Sequence, residues 1–259
     1  LEDGYDVATI ASGDIDSASQ VQQLRSVLDR GNADAIVIGI ANNRAPAAII
    51  AQYNEANIPV VMIDTKLDEK AAAEADASWD AFIGSDNRIG GVKAAQSMIK
   101  ALKDRGNRTL LIKGSYVHQS AIDRAEGFIE GAAGELEIVE QEGEWSRQRA
   151  TELTTGVMTR EGVDGIFASN DDMALGAVSA LNNLGIIGDQ APIVIGFDAT
   201  PAGMDAIERG DMYASVKQDA RRMGSSGITL VVDLLEKGTI EQKEVLIPVK
   251  IVPEERAPE

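Results

Sequence analysis

Short β-branched runs, several of them apolar on both faces, recur along this chain with amphipathic helical segments between them. A strand exposed on one side alternates apolar and polar side chains, whereas one covered by helices on both sides does not. The runs DVATIAS (6–12), DAIVIGI (34–40), PVVMID (59–64), AFIGSD (81–86), TLLIKG (109–114), GIFASN (165–170), PIVIGFD (192–198) and YASVKQ (213–218) read as strands. Between them, SASQVQQLRSVLDRG (17–31), AAQSMIKALKDRG (94–106) and SAIDRAEGFIEGAAG (120–134) carry apolar residues three and four apart and end in glycine. The alternation predicts a doubly wound α/β architecture with parallel sheets. About eight units exceed what one compact open sheet usually holds, so two similar lobes are expected within the 259 residues.

In such lobes ligands bind beyond the carboxyl ends of the strands. Five ends carry hydrogen-bonding groups: Asp64 after VVMI, Ser85-Asp86-Asn87 after AFIG, Asn170-Asp171 after IFAS, Asp198 after VIGF and Gln218 after ASVK. Helix capping accounts for any one of them, because Asn, Asp and Ser accept bonds from unpaired N–H groups at helix starts. It accounts less well for all five. Gln218 has poor capping chemistry, and Asp198 is followed by Ala-Thr-Pro before its next helix.

The common catalytic routes find little support. His118 is the sole histidine, and no G-x-S-x-G elbow accompanies it. Neither G-x-x-x-x-G-K-[ST] nor G-x-G-x-x-G occurs, so no phosphate- or dinucleotide-binding loop is expected and no cofactor is called for. The pairs Asp14-Asp16 and Asp171-Asp172 lack calcium-loop spacing, and the chain has no cysteine, so no metal site is proposed. A net charge of −18 repels phosphate backbones and anionic surfaces, which argues against a nucleic-acid partner. No apolar run approaches the ~18 residues of a membrane span.

The polar inventory suits a hydroxyl-rich ligand. Carboxylates, amides and a guanidinium exchange hydrogen bonds with several OH groups, and a flat aromatic covers the C–H face of a ring. Arg124 in IDRAEGF and Trp145 after QEGE join the candidates, with a surface ion pair and a core aromatic as their plainer readings.

IPVVMIDTKLD, FIGSDNRIGGVKAAQ, DRAEGFIEG, GIFASNDDMALGAVSAL, PIVIGFDATP and LIPVKIV, in this order and spacing, resemble the ribose- and galactose-type periplasmic sugar-binding proteins of ABC transporters. The resemblance covers essentially the whole chain. It implies a type I periplasmic binding protein fold of two Rossmann-like lobes, joined by three hinge crossings, with a sugar clamped between them. The expected division is 1–85 with 219–245 for the N-terminal lobe and 86–218 with 246–259 for the C-terminal lobe. Matched motif by motif, Asp64, Arg124, Asn170, Asp198 and Gln218 stand where the family grips sugar hydroxyls. Trp145 falls at the ring-stacking aromatic, and His118 at the ligand-contacting histidine of galactose-type members. Asp171 and Asp172 look like helix-start residues favoured by the helix dipole. The implied protein is no enzyme. It is a monomeric receptor, periplasmic or extracellular, with a lipid anchor as one form, whose partners are a neutral sugar or polyol and an ABC permease.

Several features depart from the family pattern. Ribose-type members follow the aspartate with arginine, whereas Asp64 is followed by Thr65, and Gly39 stands where a polar residue often follows the second strand. Ribose is thereby a weaker candidate, with Asn42 or Asn43 from the following loop, or Thr65, as further ligand groups; a solvated turn explains Asn42 and Asn43 equally well. The opening LEDGYDV corresponds to the end of the family's first helix, so roughly one βα unit, about 25 to 30 residues, is expected to be missing from the front, and no signal peptide opens the sequence. Two alternatives share the fold: the effector domain of a lac-repressor-type regulator, and an extracellular sensor feeding a kinase. The closing IPVKIVPEERAPE resembles the transport proteins better, and the negative charge suits a DNA-bound neighbour poorly.

Overall fold

A computed structural model describes residues 4–10, 16–103 and 105–256. The chain forms two compact units, Leu1–Gly84 with Arg221–Leu246 and Ser85–Ala220 with Ile247–Glu259. Both are α/β.

The first unit holds helices α1 (Ser17–Arg30), α2 (Ala47–Glu55), α3 (Glu69–Ala75) and α9 (Ala220–Lys237), and strands β1 (Ile36–Ile38), β2 (Val60–Ile63), β3 (Ala81–Ser85) and β9 (Glu244–Ile247). The sheet order is β1-β2-β3-β9, with β1, β2 and β3 parallel. Asp16 opens α1 by accepting from the Ala18 amide, and Gly31 closes it in left-handed backbone at φ 61°. The core gathers Leu24, Ile49, Ile50, Tyr53, Val60 and Met62. Tyr53 is fully buried, and its hydroxyl donates to the Leu24 carbonyl at 2.7 Å, so burying the phenol leaves no polar atom unsatisfied.

The second unit holds α4 (Asn87–Leu102), α5 (Gln119–Ala132), α6 (Arg147–Arg160), α7 (Asp171–Asn183) and α8 (Pro201–Arg209). Its strands are β4 (Arg108–Lys113), β5 (Glu137–Glu142), β6 (Gly165–Ala168), β7 (Ile193–Asp198), β8 (Ala214–Lys217) and β10 (Lys250–Val252), in the order β10-β8-β7-β6-β4-β5. Strands β5, β4, β6, β7 and β8 run parallel, and β10 pairs antiparallel with β8. One face of the sheet packs on α4 and α5 through Met98, Leu111, Phe128 and Phe167. The other packs on α6, α7 and α8 through Leu110, Ile112, Ile166 and Val194. Adjacent strand residues thus enter opposite cores, which is why these runs are apolar throughout. Phe128 and Phe167 stack at 4.5 Å between centroids, and burying each ring contributes roughly 2–3 kcal/mol.

Two expectations need correcting. The run 6–12 is no strand over residues 6–10, and its last two residues lie outside the described ones. A strand exists through its ladder, but Val7 and Ile10 are half exposed and this segment pairs with no described strand. The helix read from residue 94 instead starts at Asn87, where Asp86 accepts from the Ile89 amide. Its early Gly91 serves close packing rather than a break: a Cβ there would collide with α5 backbone at Arg124, just as one at Gly127 of α5 would collide with α4 backbone at Arg88. The strands β9 and β10 were not anticipated. The edge strand β5 is glutamate-rich, which suits an edge that must not recruit another strand.

Candidate functional site

In the second unit, β4 lies between β5 and β6, and the chain leaves these strands toward opposite sides of the sheet. After β4 it passes through α5 to β5; after β6 it passes through α7 to β7 on the other face. Loops beyond the carboxyl ends of β4 and β6 therefore diverge, and such a switch point opens a crevice.

Arg124 spans this point. Its residue is 5% exposed. It donates from Nη1 to the Ser169 carbonyl beyond β6 at 2.7 Å, from Nε to Asn87 Oδ1 at 2.8 Å, and from Nη1 to Asp198 Oδ1 at 3.4 Å. Its guanidinium lies 3.7 Å from the Phe197 ring centroid. Cation–π stacking and three acceptors offset the cost of burying the charge, and they fix the fork in one orientation. The plainer reading of Arg124 as a surface ion pair does not hold.

Asp198 ends β7 and is the junction of a polar chain. Gln218 Nε2 donates to its Oδ1 at 2.6 Å, and Ser85 Oγ donates to Gln218 Oε1 at 2.6 Å. Ser85 and Asn87 thus join the cluster as positioning groups. Both stand among the polar strand ends, which was the signal for them, but capping chemistry hid their part. Asp198 holds φ 106° and Ala199 φ 50°, left-handed backbone that non-glycine residues adopt at a cost.

Trp145 also stands in left-handed backbone, φ 64°, after Glu144 at φ 52°. It is half-buried, packs on the α6/α7 core, and stacks with His118 at 6.2 Å and 27° between planes. The Arg124 guanidinium lies 5.7 Å from its ring. A Cβ at Gly114 would collide with the indole, so glycine there makes room for it. Trp145 is therefore both core aromatic and neighbour of the polar cluster.

The three adjacent residues at the start of α7 do three different things. Asn170 Oδ1 caps the helix through the Met173 amide at 2.8 Å. Asp172 pairs on the surface with Arg147 at 2.8 Å. Asp171 is fully buried, and desolvation pushes its carboxyl above the ordinary value of 3.8 against the pull of bonds from Ser215 and Thr200 and the charge of Arg124. Both aspartates stand in the first turn of α7, as helix-start residues do, but Asp171 is buried and Asp172 is not.

In the first unit, Asp64 is exposed at the end of β2 with φ 65°, and Thr65 Oγ1 donates to it at 3.2 Å. Asn42 Oδ1 accepts from the Arg44 and Ala45 amides at 2.9 and 2.8 Å, the bonds of an Asx turn.

Among the described residues no cluster of metal-binding side chains occurs, and no helix is long and apolar enough to cross a membrane. Polar side chains of several types thus gather beside paired rings at a sheet's switch point, the place where open α/β sheets bind ligands. The chain belongs to the periplasmic binding protein domain family, whose sequence profile matches residues 2–239. It is 29% identical over 214 residues to the D-allose-binding periplasmic protein of Escherichia coli K12, covering 81% of this chain and 65% of that one. It is 27% identical to the ribose import binding protein RbsB of Haemophilus influenzae, covering 97% and 82%. An ABC transporter solute-binding protein of Bacillus halodurans with bound myo-inositol superposes with a TM-score of 0.77 at 28% identity, covering 93% and 82%. One from Actinobacillus succinogenes with bound D-allose superposes at 0.83 and 24% identity, covering 96% and 87%, and speaks for the fold. These relatives favour the transport receptor over the regulator and the sensor, and the family points to the periplasm.

Proposed function

We propose that this chain is the periplasmic receptor of an ABC importer, binding a neutral sugar or polyol as a monomer and passing it to a membrane permease. The observation that carries the reading is the bonded chain Arg124–Asp198–Gln218–Ser85 beside the His118–Trp145 ring pair. In this reading Asp198 accepts from a pair of hydroxyls, Arg124 donates where carboxylates cannot, the Asn170 amide donates from its Nδ2 while its Oδ1 caps α7, and Trp145 and His118 cover a ring face. Asp64 is a second carboxylate acceptor, with Thr65 and Asn42 as lesser groups. Carboxylate acceptors disfavour phosphorylated or acidic sugars. Relatives named for allose and ribose, and one with bound myo-inositol, support a polyhydroxylated ligand, and the Thr65 that follows Asp64 makes ribose the weakest of these.

Calorimetry tests this with D-allose, D-ribose, D-fucose and myo-inositol against sugar phosphates and uronic acids. Saturable one-to-one binding of a neutral member is expected. Tighter binding of anionic forms, or no binding at all, would overturn it.

A further inference from the structure

Asp171 is the only fully buried carboxylate among the described residues, and the ligand reading gives it no task. An unpartnered carboxylate would be costly to bury, so its bonds show what it is for. Oδ2 accepts from the Thr200 amide at 2.6 Å and from Thr200 Oγ1 at 3.0 Å, while Oδ1 accepts from Ser215 Oγ at 2.6 Å. Ser215 Oγ in turn accepts from the Ala199 amide at 3.0 Å. Two successive backbone amides therefore end on one carboxylate, one directly and one through a hydroxyl. The slot is cut by Gly196 of β7 and Gly203 of α8, since a Cβ at either would collide with the carboxylate. Residues of α7, β7, α8 and β8 thus converge on the turn after β7, where Asp198 and Ala199 hold left-handed backbone. Such a conformation persists only where surrounding bonds over-determine it.

We propose that Asp171 is a positioning residue for ligand binding: its buried carboxylate holds the Asp198–Ala199–Thr200 turn in this form and so sets where the Asp198 carboxylate meets Arg124 and Gln218. The proposal rests on the reading of Asp198 as a ligand group. Asp171→Asn keeps the volume but turns one acceptor into a donor. Ser215→Ala removes the hydroxyl that links Asp171 to the Ala199 amide, and it is read the same way if Asp171→Asn fails to fold.

Two measurements decide it. Without any sugar, amide hydrogen exchange at Ala199 and Thr200 should quicken at least tenfold in Asp171→Asn, and at Ala199 in Ser215→Ala, while β4 amides keep wild-type rates. Unchanged exchange at both positions would overturn the proposal. With D-allose, D-ribose or myo-inositol, well below the melting temperature, Asp171→Asn should bind at least tenfold more weakly, yet add less than twofold on top of Asp198→Ala. Multiplying losses, or wild-type affinity in Asp171→Asn, would reduce Asp171 to a core residue. If the wild type binds none of these compounds, the sugar reading fails by itself, and the exchange measurement still decides whether Asp171 holds the turn.

Discussion

Asp64 and Asp198 each end a parallel strand, one in each unit, and each sits in left-handed backbone, but their surroundings differ. Asp64 is exposed, and its carboxylate takes a bond from its own neighbour, Thr65. Asp198 is half-buried and shares Oδ1 between Arg124 and Gln218. The same residue type at the same kind of strand end can thus be a free-standing group or the junction of a network. The second unit also shows buried cores on both faces of its sheet, which lets its strand ends be held from two sides.

The contrast breaks most readily at Arg124. Arg124→Ala should lower stability by about 3 kcal/mol in denaturant melts, because it empties a buried charged site and leaves acceptors without a donor. It should also abolish sugar binding. A melt unchanged from wild type would show that the network is not a structural unit.

Next come the two aspartates. Asp198→Ala should weaken binding more than tenfold and also lower the melting temperature, since charge-assisted bonds of this kind are worth roughly 1.5–3 kcal/mol. Asp64→Ala should weaken binding while shifting stability by less than about 0.5 kcal/mol, as exposed substitutions do. Equal melts for the two variants would erase the difference between the units.

The two tryptophans sharpen the comparison further, because Trp145 lies in the second unit and Trp79 packs on the core of the first. Ligand should change the emission of a Trp79→Phe protein, which keeps only Trp145. Trp145→Ala should weaken binding by about 1–2 kcal/mol through lost apolar contact. Emission that ignores ligand would return Trp145 to the core alone.

The smallest effect is the pH dependence that Asp171 lends to stability. Because burial holds its carboxyl above 3.8, the folded state keeps that proton to higher pH than the unfolded chain does. Its contribution to stability is therefore fullest below that value and falls as pH rises through the raised one. The stability of wild type relative to Asp171→Asn should decline over that interval in paired melts. A difference that grows with pH would mean the bonds from Thr200 and Ser215 outweigh burial.

Much of the second unit was legible because its strands are short, doubly buried and apolar, and its helices carry their caps in sequence. Asp198 and Gln218 stood out because capping explained them poorly. Ser85 and Asn87 were visible only as members of a polar strand end, since a residue that bonds to a side chain far along the chain leaves no local pattern. Residues 6–10 failed as a strand for the complementary reason: β-branched composition states a preference, but a ladder needs a partner.

The sequence by itself determined the α/β class, the strand ends that carry polar groups and the likeness to sugar-binding proteins, because periodicity, capping and motif order are local properties. Only the tertiary structure decided which of those groups act together. Three consecutive polar residues, Asn170, Asp171 and Asp172, became a cap, a buried pin and a surface ion pair according to what the neighbouring elements brought near each one. The glycines that admit the Asp171 carboxylate lie 25 or more positions away, on β7 and α8, and sequence separation carries no information about such a fit.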